Sequence, residues 1–273
     1  MPWRFWQPDE NVDPIEAAKS GNLHEKVKSA MEMAQRLDKL GIPVILAAWS
    51  GPDWAIEGPM KYGQQPDGTF GNPLDQSKKE KIYKSITDYI LYLKENYGVE
   101  VVMFSFNESD LGINIRQTPE EHALLIKELG VYFASKGLKT LLLLGDTADV
   151  NGWPFIEVAM ADKDARPYMG AVSFHSWRGY SDENLKRWNE AAKKLELPLI
   201  VGEGSIDAGA WRYPAIFEEP TYAMEEIDLY TRILNICEPL SILQWQLTSD
   251  YSATPGSDIV VSTGIVNRSE YPV

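Results

Sequence analysis

The sequence predicts an α/β protein, a (β/α)8 TIM barrel filling residues 1–273 as a single domain, and three observations lead there. Short apolar runs of strand length alternate with longer stretches of helical periodicity, the signature of a parallel sheet covered by helices. Polar, aromatic and glycine-rich residues collect directly after each strand, while the connections leaving the helices are terse. A barrel carries its site at the C-terminal ends of its strands, whereas a doubly wound sheet uses mainly its switch point. The length, 273 residues, suits one such domain.

Taken in order, residues 2–6 (Pro-Trp-Arg-Phe-Trp) read as a short strand. Leu23, Val27, Ala30, Met31, Ala34, Leu37 and Leu40 keep helical spacing, and Gly41 stops that helix. Residues 44–48 form a buried strand ending in Trp49-Ser50-Gly51-Pro52. The loop to about residue 75 is long enough to expect a function for it. A helix at 77–96 precedes the strand 101–106. Thr118 with Glu121 makes a capping box with Pro119 at the first helical position.

Strands at 141–144, 171–174, 199–201 and 241–245 follow, separated by helices near 152–161, after Ser181 and at 221–236. The expected strands lie near residues 4, 45, 103, 142, 172, 200 and 243, one short of the eight that close a barrel. The runs 259–261 and 264–266 offer a further strand or a hairpin.

Composition narrows the function. A net charge of −14 argues against a nucleic-acid surface. No apolar run is long enough to cross a bilayer, so no membrane partner is expected, and the N-terminus has no signal-peptide h-region. The single cysteine, Cys237, excludes an internal disulfide and leaves the compartment open. With no His-x-His pair and no cysteine cluster, a dedicated zinc site is not expected.

Two strand ends carry carboxylates: Asn107-Glu108 after 101–106, and Glu203 after 199–201. A pair of carboxyl groups about 5–5.5 Å apart is the machinery of retaining glycosidic cleavage, one protonated and one ionised. The structural alternative is that both simply cap the following turns. His175 sits at a strand end as a partner for a hydroxyl or a carboxylate, or as a structural histidine; His24 and His122 fall on helices and are expected to be solvated. Trp49, Trp54, Trp177 and Trp211 are outer-subsite candidates or packing residues, and Asp146 is a substrate contact or a turn residue.

The run Phe104-Ser105-Phe106-Asn107-Glu108, the strand end Phe174-His175-Ser176-Trp177, the segment Ile200-Val201-Gly202-Glu203-Gly204 and Gln244-Trp245 together resemble clan A glycoside hydrolases. Trp49-Ser50-Gly51-Pro52 with Trp54 looks like a segment of family 30; families 5 and 39 share the broader pattern.

The resemblance implies Glu108 as acid/base, Glu203 as nucleophile and Asn107 as a donor to the sugar 2-hydroxyl. It implies Trp245 under the central sugar, Arg4 orienting Glu203, and a cofactor-free enzyme acting on a β-linked oligo- or polysaccharide. It also implies that the family's first strand is absent, since Glu108 and Glu203 fall on the third and sixth expected strands instead of the fourth and seventh.

Two other readings stay open. One is an inactive carbohydrate-binding barrel. The other is a metal-dependent barrel enzyme with Glu108, Asp146, His175 and Glu203 as ligands.

Overall fold

The computed structural model describes residues 1–61, 63–207, 210, 216, 219–245, 258–261 and 264–267. Two units are distinguished, Met1–Thr147 with Pro154–Gly170, and Ala148–Trp153 with Ala171–Val273. The first runs α1 (Trp3–Trp6), α2 (Pro14–Lys19), α3 (Glu25–Lys39), β1 (Val44–Ala48), β2 (Asn72–Pro73), α4 (Lys79–Tyr97), β3 (Val101–Phe106), β4 (Ile115–Arg116), α5 (Pro119–Ser135), β5 (Leu141–Thr147) and α6 (Glu157–Ala161). Then β6 (Met169–His175) enters the second unit at Ala171, followed by α7 (Asp182–Leu195), β7 (Leu199–Gly204), α8 (Pro220–Cys237) and β8 (Ser241–Gln244). The strands β9 (Asp258–Val261) and β10 (Gly264–Asn267) make the hairpin that the late apolar runs suggested.

In the first unit β3 lies between β1 and β5, parallel to both. The register with β1 slips after Val44, so Val102 has no partner there and is 36% exposed, in a strand whose other residues are buried or, at Met103, half-buried. The capping box forms as expected, with Thr118 accepting from the Glu121 N–H and Glu121 accepting from the Thr118 N–H. Gly98 closes α4 at φ 74°, returning its N–H to the Lys94 carbonyl.

The segment 2–6 corrects the expected first strand: it is a single helical turn. A strand would send Trp3 and Trp6 to opposite faces, whereas a helical turn puts residues three apart on one side. Both indoles are buried, and both N–H groups reach Ser85, one on Oγ at 2.9 Å and one on the carbonyl at 3.0 Å. Burying an indole of about 200 Å² contributes on the order of 5 kcal/mol, more than the strand propensity of five residues can oppose.

The long loop after β1 is tied down by Asn72. Its side chain accepts from the Lys61 N–H at 2.9 Å and donates to the Glu57 and Pro59 carbonyls at 2.8 and 2.9 Å. Its backbone joins β2 to β4, so this loop is docked against the turn that follows Glu108. An added Cβ on Gly71 would lie 2.2 Å from the Gly112 carbonyl oxygen, and only glycine allows the two backbones that approach.

In the second unit β7 is flanked by β6 and β8, again all parallel. The helix α7 buries Leu185, Trp188, Ala192 and Leu195 at helical spacing. Trp188 rests 5.2 Å from the Phe174 ring and donates its indole N–H to the Val150 carbonyl.

Candidate active site

At the end of β3 the Asn107 N–H donates to the Ala48 carbonyl at 3.0 Å, and the chain then turns out of the sheet. Glu108 takes φ 50°, and its N–H donates to the Asp146 carbonyl at 3.0 Å. Asp146, at the end of β5, stands at φ 55° after Gly145 at φ 101°. Left-handed backbone costs a non-glycine residue about 1 kcal/mol or more and persists where its surroundings fix it. Here those surroundings are the Ser105 hydroxyl, which donates to Asp146 Oδ2 at 2.6 Å, and the Gly112 N–H on the Glu108 carbonyl at 2.8 Å.

Asn107, Glu108 and Asp146 are all buried. The Asn107 Nδ2 has no partner among the described residues. An unmet buried N–H costs about 1–3 kcal/mol, so this amide suits an acceptor brought by a ligand.

In the second unit a bulge re-aims β7. Phe174 pairs with Val201 but His175 pairs with Glu203, and on the other side Val201 pairs with Ile242 but Gly204 with Gln244. The extra residue turns the Glu203 side chain away from plain strand alternation.

Glu203 is 6% exposed, and its Oε2 accepts from the Trp177 indole N–H at 3.2 Å. His175 Nδ1 lies 3.4 Å from the same oxygen. Ser176 binds the β7 end three times: its N–H donates to the Glu203 carbonyl at 3.0 Å, its hydroxyl donates to the Ser205 carbonyl at 2.7 Å, and its Oγ accepts from the Ser205 N–H at 3.1 Å. The Trp245 N–H donates to the Gly204 carbonyl at 2.9 Å, and Gln244 accepts from the Tyr230 hydroxyl. Trp245 is half-buried, with part of its surface open.

The expected residues divide accordingly. Asn107 and Glu108 stand at one strand end, and His175, Trp177, Glu203 and Trp245 gather at neighbouring ends of the second unit. Trp177, which the sequence left as an outer-subsite candidate or a packing residue, is 5% exposed with its N–H donated to Glu203. Trp49 is half-buried directly after β1. Trp54 is a packing residue, edge-on to Trp3 with its N–H on the Gln7 carbonyl. Trp211 lies outside the described residues.

Arg4 lies on the helical turn α1 with its guanidinium carbon 5.8 Å from the Phe5 ring centre. The strand end on which its expected role depended is therefore not there. His24 is exposed as expected and caps α3 by accepting from the Lys26 N–H.

His122 corrects the sequence reading, being 4% exposed instead of solvated. Its spacing from Leu125, Ile126 and Leu129 had placed it on the apolar face of α5, a signal the helix periodicity contained. Its Nε2 accepts from the Gly145 N–H at 3.0 Å, and burial pushes its pKa down from 6.5 to about 4. Ser105 was also missed; a lone hydroxyl inside an apolar strand was its signal.

No protein-family profile and no curated protein matches the chain. Solved structures do. The endo-β1,6-glucanase BT3312 superposes at a TM-score of 0.62 with 20% identity, covering 91% of this chain and 58% of that one. In fold, the chain is like the family 30 glycoside hydrolases. A GH30 endoxylanase from Clostridium papyrosolvens C71 gives 0.62 at 17% identity, covering 88% and 56%, and SrfJ from Salmonella typhimurium gives 0.64 at 17%, covering 95% and 60%. The architecture is therefore TIM-barrel-like α/β, and the chain spans just under three-fifths of the length of the endoxylanase and the glucanase. At these identities the likeness is one of fold.

Proposed function

We propose that this chain is a retaining glycoside hydrolase acting on a β-linked oligo- or polysaccharide, with residues 1–273 serving as one catalytic domain and no cofactor required. Glu108 protonates the leaving oxygen and then activates water. Glu203 attacks the anomeric carbon, and the Asn107 amide takes the 2-hydroxyl, a contact that strengthens in the transition state. His175 steadies Glu203, and Trp245 offers an indole face to the C–H face of a sugar.

The observation that carries this reading is the buried Nδ2 of Asn107, without a partner among the described residues, beside a strand-end glutamate. A residue that merely capped a turn would spend its donors within the fold. The Glu203 carboxylate, which accepts an indole N–H, is also suited to act as a nucleophile.

Aryl β-glycosides test the proposal directly. Hydrolysis unaffected by EDTA, an early product of retained configuration and a glycosyl azide from Glu108→Ala in azide are expected. Binding of glycans without turnover would move the chain to the carbohydrate-binding class. Loss of turnover in EDTA would favour a metal enzyme.

A further inference from the structure

We infer that His122 is a positioning residue for Glu108, acting through the backbone of Gly145 and Asp146. The inference rests on the proposed acid/base role of Glu108, to which it adds a residue that makes no contact with substrate.

The connection is a short series of hydrogen bonds in one unit. His122 Nε2 accepts from the Gly145 N–H at 3.0 Å. Gly145 at φ 101° leads into Asp146 at φ 55°, and the Asp146 carbonyl accepts the Glu108 N–H at 3.0 Å. Glu108 itself is at φ 50°. Three departures from ordinary strand backbone, two of them consecutive, therefore meet at the point where the chain leaves β3. Backbone of this kind relaxes unless its N–H and carbonyl groups are held.

His122 is a costly way to fill space, which argues for a specific task. To accept at Nε2 the imidazole carries its proton on Nδ1, and that Nδ1 has no partner among the described residues. A leucine or phenylalanine would pack against Phe155, whose ring lies 4.6 Å away, without burying an unmet N–H. What only the imidazole supplies is an acceptor for Gly145.

The charge environment supports the neutral form. Burial lowers the imidazole pKa, and Asp146 on β5 is the charged group that partly opposes it. Phe155, packed on the ring, presents only carbon, and Glu121 on the same helix is turned to the Thr118 N–H. Protonation would place a donor at Nε2 against the Gly145 donor and release the turn.

The test compares His122→Gln, which keeps a side-chain acceptor, with His122→Phe, which keeps a ring and loses it. On an aryl β-glycoside, His122→Phe is expected to lower kcat by roughly 10–100-fold with KM changed less than about threefold, as for a misplaced catalytic group. His122→Gln should return most of that loss. Equal loss in both variants, with KM following kcat, overturns the inference in favour of packing alone.

Amide NMR supplies an arm independent of turnover. The Gly145 and Glu108 amide signals should move together with pH as His122 titrates, and in His122→Phe both should shift and exchange faster. A Glu108 amide insensitive to His122 titration and to both substitutions also overturns the inference. If the parent protein hydrolyses no glycoside while these amides respond, the enzyme reading fails and the positioning of Glu108 by His122 stands. Should His122→Phe not fold, His122→Gln and the pH titration of the parent carry the same decision.

Discussion

Replacing Trp177 by Phe removes one donor from the carboxylate proposed as nucleophile and leaves most of the ring in place. The Trp177 N–H lies 3.2 Å from Glu203 Oε2, and both side chains are more than nine-tenths buried. A hydrogen bond to a charged group contributes about 1.5–3 kcal/mol. Its loss should make Glu203 harder to ionise, because the bond favours the charged carboxylate. The nucleophile must be ionised, so the acidic limb of kcat/KM should move to higher pH.

Well above the limb, the rate should return toward the parent value, less a uniform loss from the smaller ring. Stability follows the same sign. The variant should be less stable than the parent at neutral pH, and the gap should narrow as falling pH protonates Glu203 in both. The assay is a kcat/KM profile on an aryl glycoside, paired with denaturant melts across the same pH range. An acidic limb that stays in place while activity drops by the same factor at every pH would refute the argument, leaving Trp177 a packing residue.

Other substitutions probe separate links. Trp245→Ala should lower kcat/KM by about tenfold or more, roughly 1.4 kcal/mol, yet shift Tm by less than about 4 °C, since the indole is half-buried; a collapsed Tm with an unchanged KM would make it a core residue. Asn72→Ala should cost on the order of 3 kcal/mol for three lost hydrogen bonds, seen as faster exchange of the Lys61 amide, and an unchanged rate counts against its anchoring role. His122 is held neutral in the fold with its pKa lowered from 6.5 to about 4, so its contribution is present above pH 6.5 and lost as pH falls toward 4. That loss is on the order of 3 kcal/mol, and His122→Gln should show a flatter stability curve over this window; identical curves would contradict it.

The sequence by itself determined the α/β class, the alternation of elements and the two strand-end carboxylates. These are consequences of local periodicity: strand-length apolar runs at 101–106 and 199–201, helical spacing in α5 and α7, and a capping box at Thr118 leave little freedom for another assignment. The tertiary structure decided what depends on partners distant in the chain. Residues 2–6 became a helical turn because Ser85, some eighty residues away, accepts and receives both indoles. Trp177 became a support for Glu203 through a bulge in β7 that no pattern of residue types announces. His122 met the Gly145 N–H only once α5 lay against the end of β5. Periodicity fixes which face a side chain points from, but a hydrogen bond needs the partner's position as well, and that is set only when the elements pack.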